Sequence, residues 1–213
     1  MKFKPTIWYL LSGRIKKSIK IMMPEIDTHN LNKKAKKIYK DLLSQVEGIS
    51  DNNPMSGNIT MSFIIIAMWL ATEKRITPEQ MSKVMEEALA NWSIFKLLYS
   101  RMDLNTEKGI QSMKKILRRN AKWACQHPED TNTWDFNFDD NKHQDGFYYH
   151  FTYCPIAEFC KQHGCPEITP VLCNLDYLTI AARHAVLHRK HTIATGGTMC
   201  DYWIVGDKIK NPR

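Results

Sequence analysis

The chain has 213 residues, 43% of them hydrophobic and 24% charged. That length and balance exclude a wholly disordered chain and allow one domain with a sizeable core, with or without a helical extension. The formal charge of +8 is concentrated locally: RIKKSIK (14–20) and NKKAKKIYK (32–40) hold nine Lys and Arg, and KKILRRNAK (114–122) adds a further run.

Such runs suit RNA, anionic lipid or an anionic small molecule. No aromatic platform interleaves with them, so they are read as solvated helix faces, and no nucleic-acid partner is expected. The first half of the chain reads as helix. Leu31, Ala35, Ile38, Leu42 and Val46 recur at helical spacing, and DNNPMSGN (51–58) is a loop by composition. The apolar run 59–71 is too short to span a bilayer and predicts a buried helix over about 59–73. Thr77, Pro78 and Gln80 form a capping-box signature that opens a helix running to about Leu98. Another helix follows Thr106 and runs to about Cys125.

After Pro128 the period changes. TWDFNF (133–138) and GFYYHFTYC (146–154) alternate as half-buried strands. CPIAEFCKQHG (154–164) is a short helix, and 169–185 is a second, with Pro170 in its first turn and Cys173 and Asp176 three residues apart on one side. Strands are expected over about 189–195 and 198–205, joined by a Gly196-Gly197 turn. In that register Ile193 faces Cys200 and His191 faces Tyr202, which makes Cys200 and His191 diagonal neighbours; Thr192 and Asp201 face each other on the other side. The fold class expected is therefore α+β: a helical N-terminal half, then a small antiparallel sheet of about four strands with two helices packed on it. A basic helical segment, 1–50, precedes a single α+β domain, 51–213.

Five of the six cysteines (Cys154, Cys160, Cys165, Cys173 and Cys200) lie in the last sixty residues, and only Cys125 precedes them. No secretory signal or CxxC is visible, so a cytoplasmic location with reduced thiols is expected. Any one of these cysteines alone reads as a small buried hydrophobe. As a group, Cys173, Asp176, Cys200 and His191 have the composition of a nucleophilic site. A thiolate needs a nearby cation or imidazole, and an acid can activate water in a second step. Arg189 can hold a substrate carboxylate. Thr192, His150 and Asp201 are further candidates for substrate binding. No phosphate loop or GxSxG elbow is present, and no cofactor is expected.

The pattern C-P-x(3)-F-C at 154–160, C-x-x-D at 173–176 and R-x-H-T-I-A-x-G-G-x-x-C-D-Y at 189–202 resembles the L-2-amino-thiazoline-4-carboxylic acid hydrolase family. The resemblance implies hydrolytic opening of a cyclic amidine carboxylate to a carbamoyl-cysteine at a non-peptide C–N bond. Its recognisable motifs cover about the last sixty residues; the first 120 match only in being helical. The expectation is a hydrolase for a small-molecule substrate, with Cys200 as first choice of nucleophile and Cys173, with Asp176 as acid/base, as second. A metal site built from Cys173, Asp176, Cys200 and a histidine is an alternative. A non-catalytic module that binds a small molecule or nucleic acid is another.

Overall fold

The computed structural model describes residues 1–212 and shows an α+β architecture. The helices α1 (Pro5–Met22), α2 (Leu31–Ser44), α3 (Ser56–Ala71), α4 (Pro78–Ala90), α5 (Ser93–Ser100) and α6 (Glu107–Gln126) come first. Then follow β1 (Phe136–Phe138), β2 (Phe147–Phe151), α7 (Pro155–Gln162), α8 (Thr169–Ala181), β3 (Ala185–His188) and β4 (Cys200–Gly206). Two compact units result. One holds residues 1–91 with 129–132; the other holds 92–128 and the chain from Thr133 on.

In the first unit α3 is apolar on all sides, so it must be enclosed. It packs against α2 and α1, and α1 also packs against α4. Ile64, Ile66, Met68 and Trp69 are sealed within it. The buried Asp130 carboxylate returns to this unit and accepts from the Ser50 N–H (2.7 Å) and Asn53 Nδ2 (2.9 Å). The capping box forms as the sequence predicts: Thr77 Oγ1 accepts from the Gln80 N–H, and Gln80 Oε1 accepts from the Thr77 N–H. Lys33, Lys34, Lys37 and Lys40 stand exposed on α2. Among the described residues no helix is long and apolar enough to cross a membrane. The helix expected to run to Leu98 instead stops at Ala90. Asn91 caps it, donating to the Glu87 side chain at 2.6 Å, and Trp92 takes an extended conformation before α5 begins.

The second unit contains the sheet, antiparallel throughout, with order β1-β2-β4-β3. α8 packs on β3, α6 on β1 and α7 on α8. The β2–β4 register sets the faces: Phe151 pairs with Cys200, His150 with Asp201, and Tyr149 with Tyr202. Alternation then puts Phe147, Tyr149, Phe151, Cys200, Tyr202 and Ile204 on one face, and Tyr148, His150, Asp201 and Trp203 on the other.

Two expectations about this unit need correction. The helix read as 169–185 ends at Ala181, and Ala185 already belongs to β3. The turn between them is held by a distant loop: Arg183 O accepts from the Leu104 N–H, and His184 O accepts from Asn105 Nδ2, with His184 at a left-handed φ of 59°. The hairpin also differs. β3 covers 185–188, Leu187 pairs with Ile204 and His188 with Trp203, while 189–199 form a long connection around a 3₁₀ turn, Ile193–Thr195. The ladder stops because the Asp201 carboxylate takes the N–H groups of Lys190 (3.1 Å) and His191 (2.6 Å), which a continued strand would have needed. The pairing is displaced by two residues from the expected one. A displacement of two preserves the face each β4 side chain takes.

Gly146, just before β2, has φ 74°, and a Cβ there would meet the Ile204 carbonyl oxygen of β4. Gly164, after α7, has φ 64° with open space around it. Gly164→Ala is therefore expected to cost only the backbone penalty, about 1–2 kcal/mol. Gly146→Ala adds a clash with sheet backbone and should exceed about 2 kcal/mol. Urea unfolding of both variants measures the difference; equal losses would mean that the close approach at Gly146 is unimportant.

Candidate functional site

The site begins with a cation removed from water. Arg189 leaves β3 on the face that α8 covers, and its side chain is only 2% exposed. A buried guanidinium needs acceptors, and α8 supplies two of them one turn apart. Nη1 donates to the Cys173 carbonyl at 3.0 Å, and Nη2 to Asp176 Oδ2 at 2.6 Å. Tyr202 of β4 completes the arrangement: its hydroxyl donates to the same Asp176 oxygen at 2.9 Å, and its ring centre lies 4.3 Å from the guanidinium carbon. Tyr202 in turn stacks on Tyr149 of β2, 4.6 Å away and nearly parallel. Burial keeps the Tyr202 phenol protonated, with its pKa raised well above the ordinary value, and the Asp176 charge adds to this. Asp176 Oδ1 has no hydrogen-bond partner among the described residues, and the side chain is 35% exposed.

Two thiols, Cys173 and Cys200, lie within electrostatic reach of this pair, and a third, Cys154, within reach of both of those. Burial raises the pKa of each, as a sealed thiol requires. For Cys173 the Asp176 charge adds to burial and leaves the thiol protonated. Cys154 is pushed up to about 11, chiefly by burial, against the pull of the Ala157 and Ile156 N–H groups at the start of α7. Cys200 is raised chiefly by burial, with the Asp176 and Asp201 charges adding to this, while the Ile193 N–H and the Arg189 charge act in the opposite direction. The contact from Ile193 is direct, N to Sγ at 3.2 Å, and is made where the 3₁₀ turn folds back over the start of β4.

A cavity of about 310 Å³ opens next to these thiols. Its walls include Cys154, Glu158 and Lys161 of the α7 region and Ile193 and Ala194 of the 3₁₀ turn. Cys200, Cys173 and Asp176 do not line it; Ile193, which does, donates its N–H to the Cys200 sulfur. Cys154 and Tyr202 were missing from the candidates read from the sequence. Tyr202 had a local signal, since it sits two residues beyond Cys200 on the same strand face. Cys154 had a weaker one, a Cys-Pro at the junction of strand and helix, which places it at the N-cap of α7.

The other candidates lie elsewhere. His191 is exposed, and its ties are through its backbone: its N–H donates to Asp201 and its carbonyl accepts from the Asp201 N–H. The register that made it a diagonal neighbour of Cys200 is not the one formed, and the positive charge that acts on the Cys200 thiol is Arg189. Thr192 bonds the Thr195 hydroxyl at 2.9 Å within the turn. Asp201 and His150 pair across β4 and β2 on the face opposite Cys200, so Asp201 anchors the connection and His150 points away from the thiols. Among the described residues no three His, Cys, Asp or Glu side chains converge to hold a metal ion.

The Arg189 pair can be tested through stability. Removing the guanidinium strands a half-buried carboxylate, a loss of about 3–5 kcal/mol for a fully buried pair and less where water reaches one partner, as it does Asp176. Removing only the Tyr202 hydroxyl leaves the ion pair intact and should cost about 1–2 kcal/mol. Arg189→Met should therefore destabilise more than Tyr202→Phe in urea unfolding monitored by near-UV circular dichroism. The reverse order would show that the phenol, not the guanidinium, organises the site.

No curated protein and no solved structure matches the chain. A family model does, over residues 57–204, from the start of α3 to the middle of β4. The match reaches well upstream of the cysteine motifs and takes in helices that carry no recognisable motif of their own. With most of its length matched, the chain belongs to the L-2-amino-thiazoline-4-carboxylic acid hydrolase family.

Proposed function

We propose that this protein is a hydrolase that opens a small cyclic amidine or amide, such as a 2-aminothiazoline carboxylate, at a ring C–N bond by cysteine nucleophilic catalysis. The family's name is that of a hydrolase. The observation that carries the mechanism is the environment of Cys200: a backbone N–H on its sulfur and a buried arginine nearby, both favouring thiolate.

In the first step the Cys200 thiolate attacks the amidine carbon. The ring C–N bond breaks and the departing nitrogen takes a proton, leaving the carbon attached to the Cys200 sulfur. In the second step water adds to that carbon, its proton passes to a base, and the bond to Cys200 breaks to return the thiolate and release the carbamoyl product. Asp176 Oδ1 is the base this reading assigns, because Oδ2 is already held by Arg189 and Tyr202. Arg189 orients Asp176 and opposes the rise in the thiol pKa. One observation favours a second assignment within the same chemistry: Cys154, not Cys200, has its side chain on the cavity wall.

Turnover of 2-aminothiazoline-4-carboxylate tests the reading. Loss of the nucleophile should lower kcat/KM by about 10³-fold or more. Cys200→Ala is expected to show that loss and Cys173→Ala a smaller one; if Cys154→Ala shows it instead, the nucleophile is Cys154. The pH profile has a definite sign. Because burial raises the Cys200 pKa, its thiolate fraction still grows above the ordinary thiol range, so kcat/KM should rise into alkaline pH. Arg189→Lys, which keeps a charge but loses the fork, should move that limb further alkaline. A rate independent of pH between about 7 and 10 would exclude a thiolate nucleophile with a raised pKa.

A further inference from the structure

The cavity beside the thiols is walled on one side by a single helix face. Cys154, Ala157, Glu158 and Lys161 are spaced i, i+3, i+4 and i+7, so they stand in one row along α7. The row carries a thiol, a carboxylate and an ammonium facing one space of about 310 Å³, the size of a small-ligand pocket. Glu158 and Lys161 are three residues apart, a spacing at which opposite charges on a helix ordinarily close on each other. Here they form no ion pair. Glu158 bonds only the Gln162 amide, at 2.9 Å, and the Lys161 ammonium has neither an ion pair nor a hydrogen bond among the described residues. Ile193 and Ala194 of the 3₁₀ turn add apolar lining, and Ile193 donates its N–H to the Cys200 sulfur.

An acid and a base held apart on one wall, about 5–6 Å from each other at their Cβ atoms, match a ligand with a cation and an anion separated by one small ring. We propose that α7 is the substrate-selecting helix: Glu158 receives the amidinium end and Lys161 the carboxylate end of a small cyclic zwitterion, with the Cys154 thiol against its ring. The inference rests on the hydrolase reading for the identity of the zwitterion, and it assigns the specificity of that reaction to two residues on the cavity wall.

Two probes that differ by one group test it: 2-aminothiazoline-4-carboxylate and 2-aminothiazoline, which lacks the carboxylate. Affinity is read by calorimetry and, independently of turnover, by protection of Cys154 from iodoacetamide in alkaline buffer, mapped by mass spectrometry. The wild type should prefer the carboxylated probe. Lys161→Gln should weaken binding of that probe by about ten-fold and erase the preference, and Glu158→Gln should weaken both probes by about ten-fold. Both positions are on the surface of the cavity, and unchanged circular dichroism confirms folding. Protection of Cys154 without turnover keeps the site and removes the hydrolase reading. Turnover without protection, and with both variants like the wild type, keeps the hydrolase reading and overturns the site.

Discussion

A guanidinium leaves water only where acceptors or a π face take its place, and for Arg189 two stretches of chain, α8 and β4, supply these to both Nη atoms and the ring-facing side, while the buried Nε has no hydrogen-bond partner among the described residues. Two acceptors come from successive turns of α8, and the ring comes from β4. The consequence is positional. With the side chain 2% exposed and held at both Nη atoms, α8 cannot slide along β3 without stranding a charge. Cys173 and Asp176 are carried on that helix and Cys200 on the neighbouring strand, so the arginine fixes the distance between groups that are far apart in sequence. The same charge then acts on chemistry: it is the cation that opposes burial at the Cys200 thiol.

The two acids of the region show how strand alternation divides labour. Asp201 follows Cys200 by one residue, so its carboxylate lies on the opposite face, where it accepts the N–H groups of Lys190 and His191. Those bonds end the β3–β4 ladder and force 189–199 into a folded connection. Asp176 faces the thiols from the helix side, with one oxygen committed and one uncommitted. One carboxylate therefore builds the loop that delivers the Ile193 N–H to Cys200, and the other is held by Arg189 and Tyr202 through a single oxygen. The Cys-Asp dipeptide puts a buried thiol and the anchor of its covering loop on two faces of one strand.

Much of this was legible in the sequence, and the limits have physical causes. Period-2 alternation over 146–154 and period-3.6 patterns upstream set the fold class, because both report burial directly. The capping box at Thr77 is local chemistry, complete within four residues. The turns that escaped notice are those decided by distant groups. Nothing between 181 and 185 forbids a helix; the chain turns because Leu104 and Asn105, some eighty residues earlier, bind its carbonyls. The Gly196-Gly197 pair does signal a turn, and Gly196 does take φ 87°. It does not signal that Asp201 will remove two ladder donors and shift the pairing. The faces of Cys200 and Asp201 were nonetheless right, since a shift of two leaves alternation intact. Cys154 was overlooked because its importance lies in the cavity beside it, which comes from the meeting of α7 with the 3₁₀ turn.

That meeting also explains why three thiols can share one region without each being reactive. Burial raises the pKa of all of them, so the default state of the cluster is neutral, and only a local donor or cation can single one out. Cys173 and Cys200 both have the Asp176 charge working with burial and the Arg189 charge against it. Cys154 has helix N–H groups working against burial, yet still lies near 11. Of Cys173 and Cys200, Cys200 alone adds a backbone donor on its sulfur, from Ile193, but does not itself line the cavity. The groups that oppose burial and the open cavity thus lie at different thiols. Ile193 joins the two: it lines the cavity, its N–H reaches the Cys200 sulfur, and its turn is held by the Thr192 carbonyl, which accepts from the Thr195 and Gly197 N–H groups.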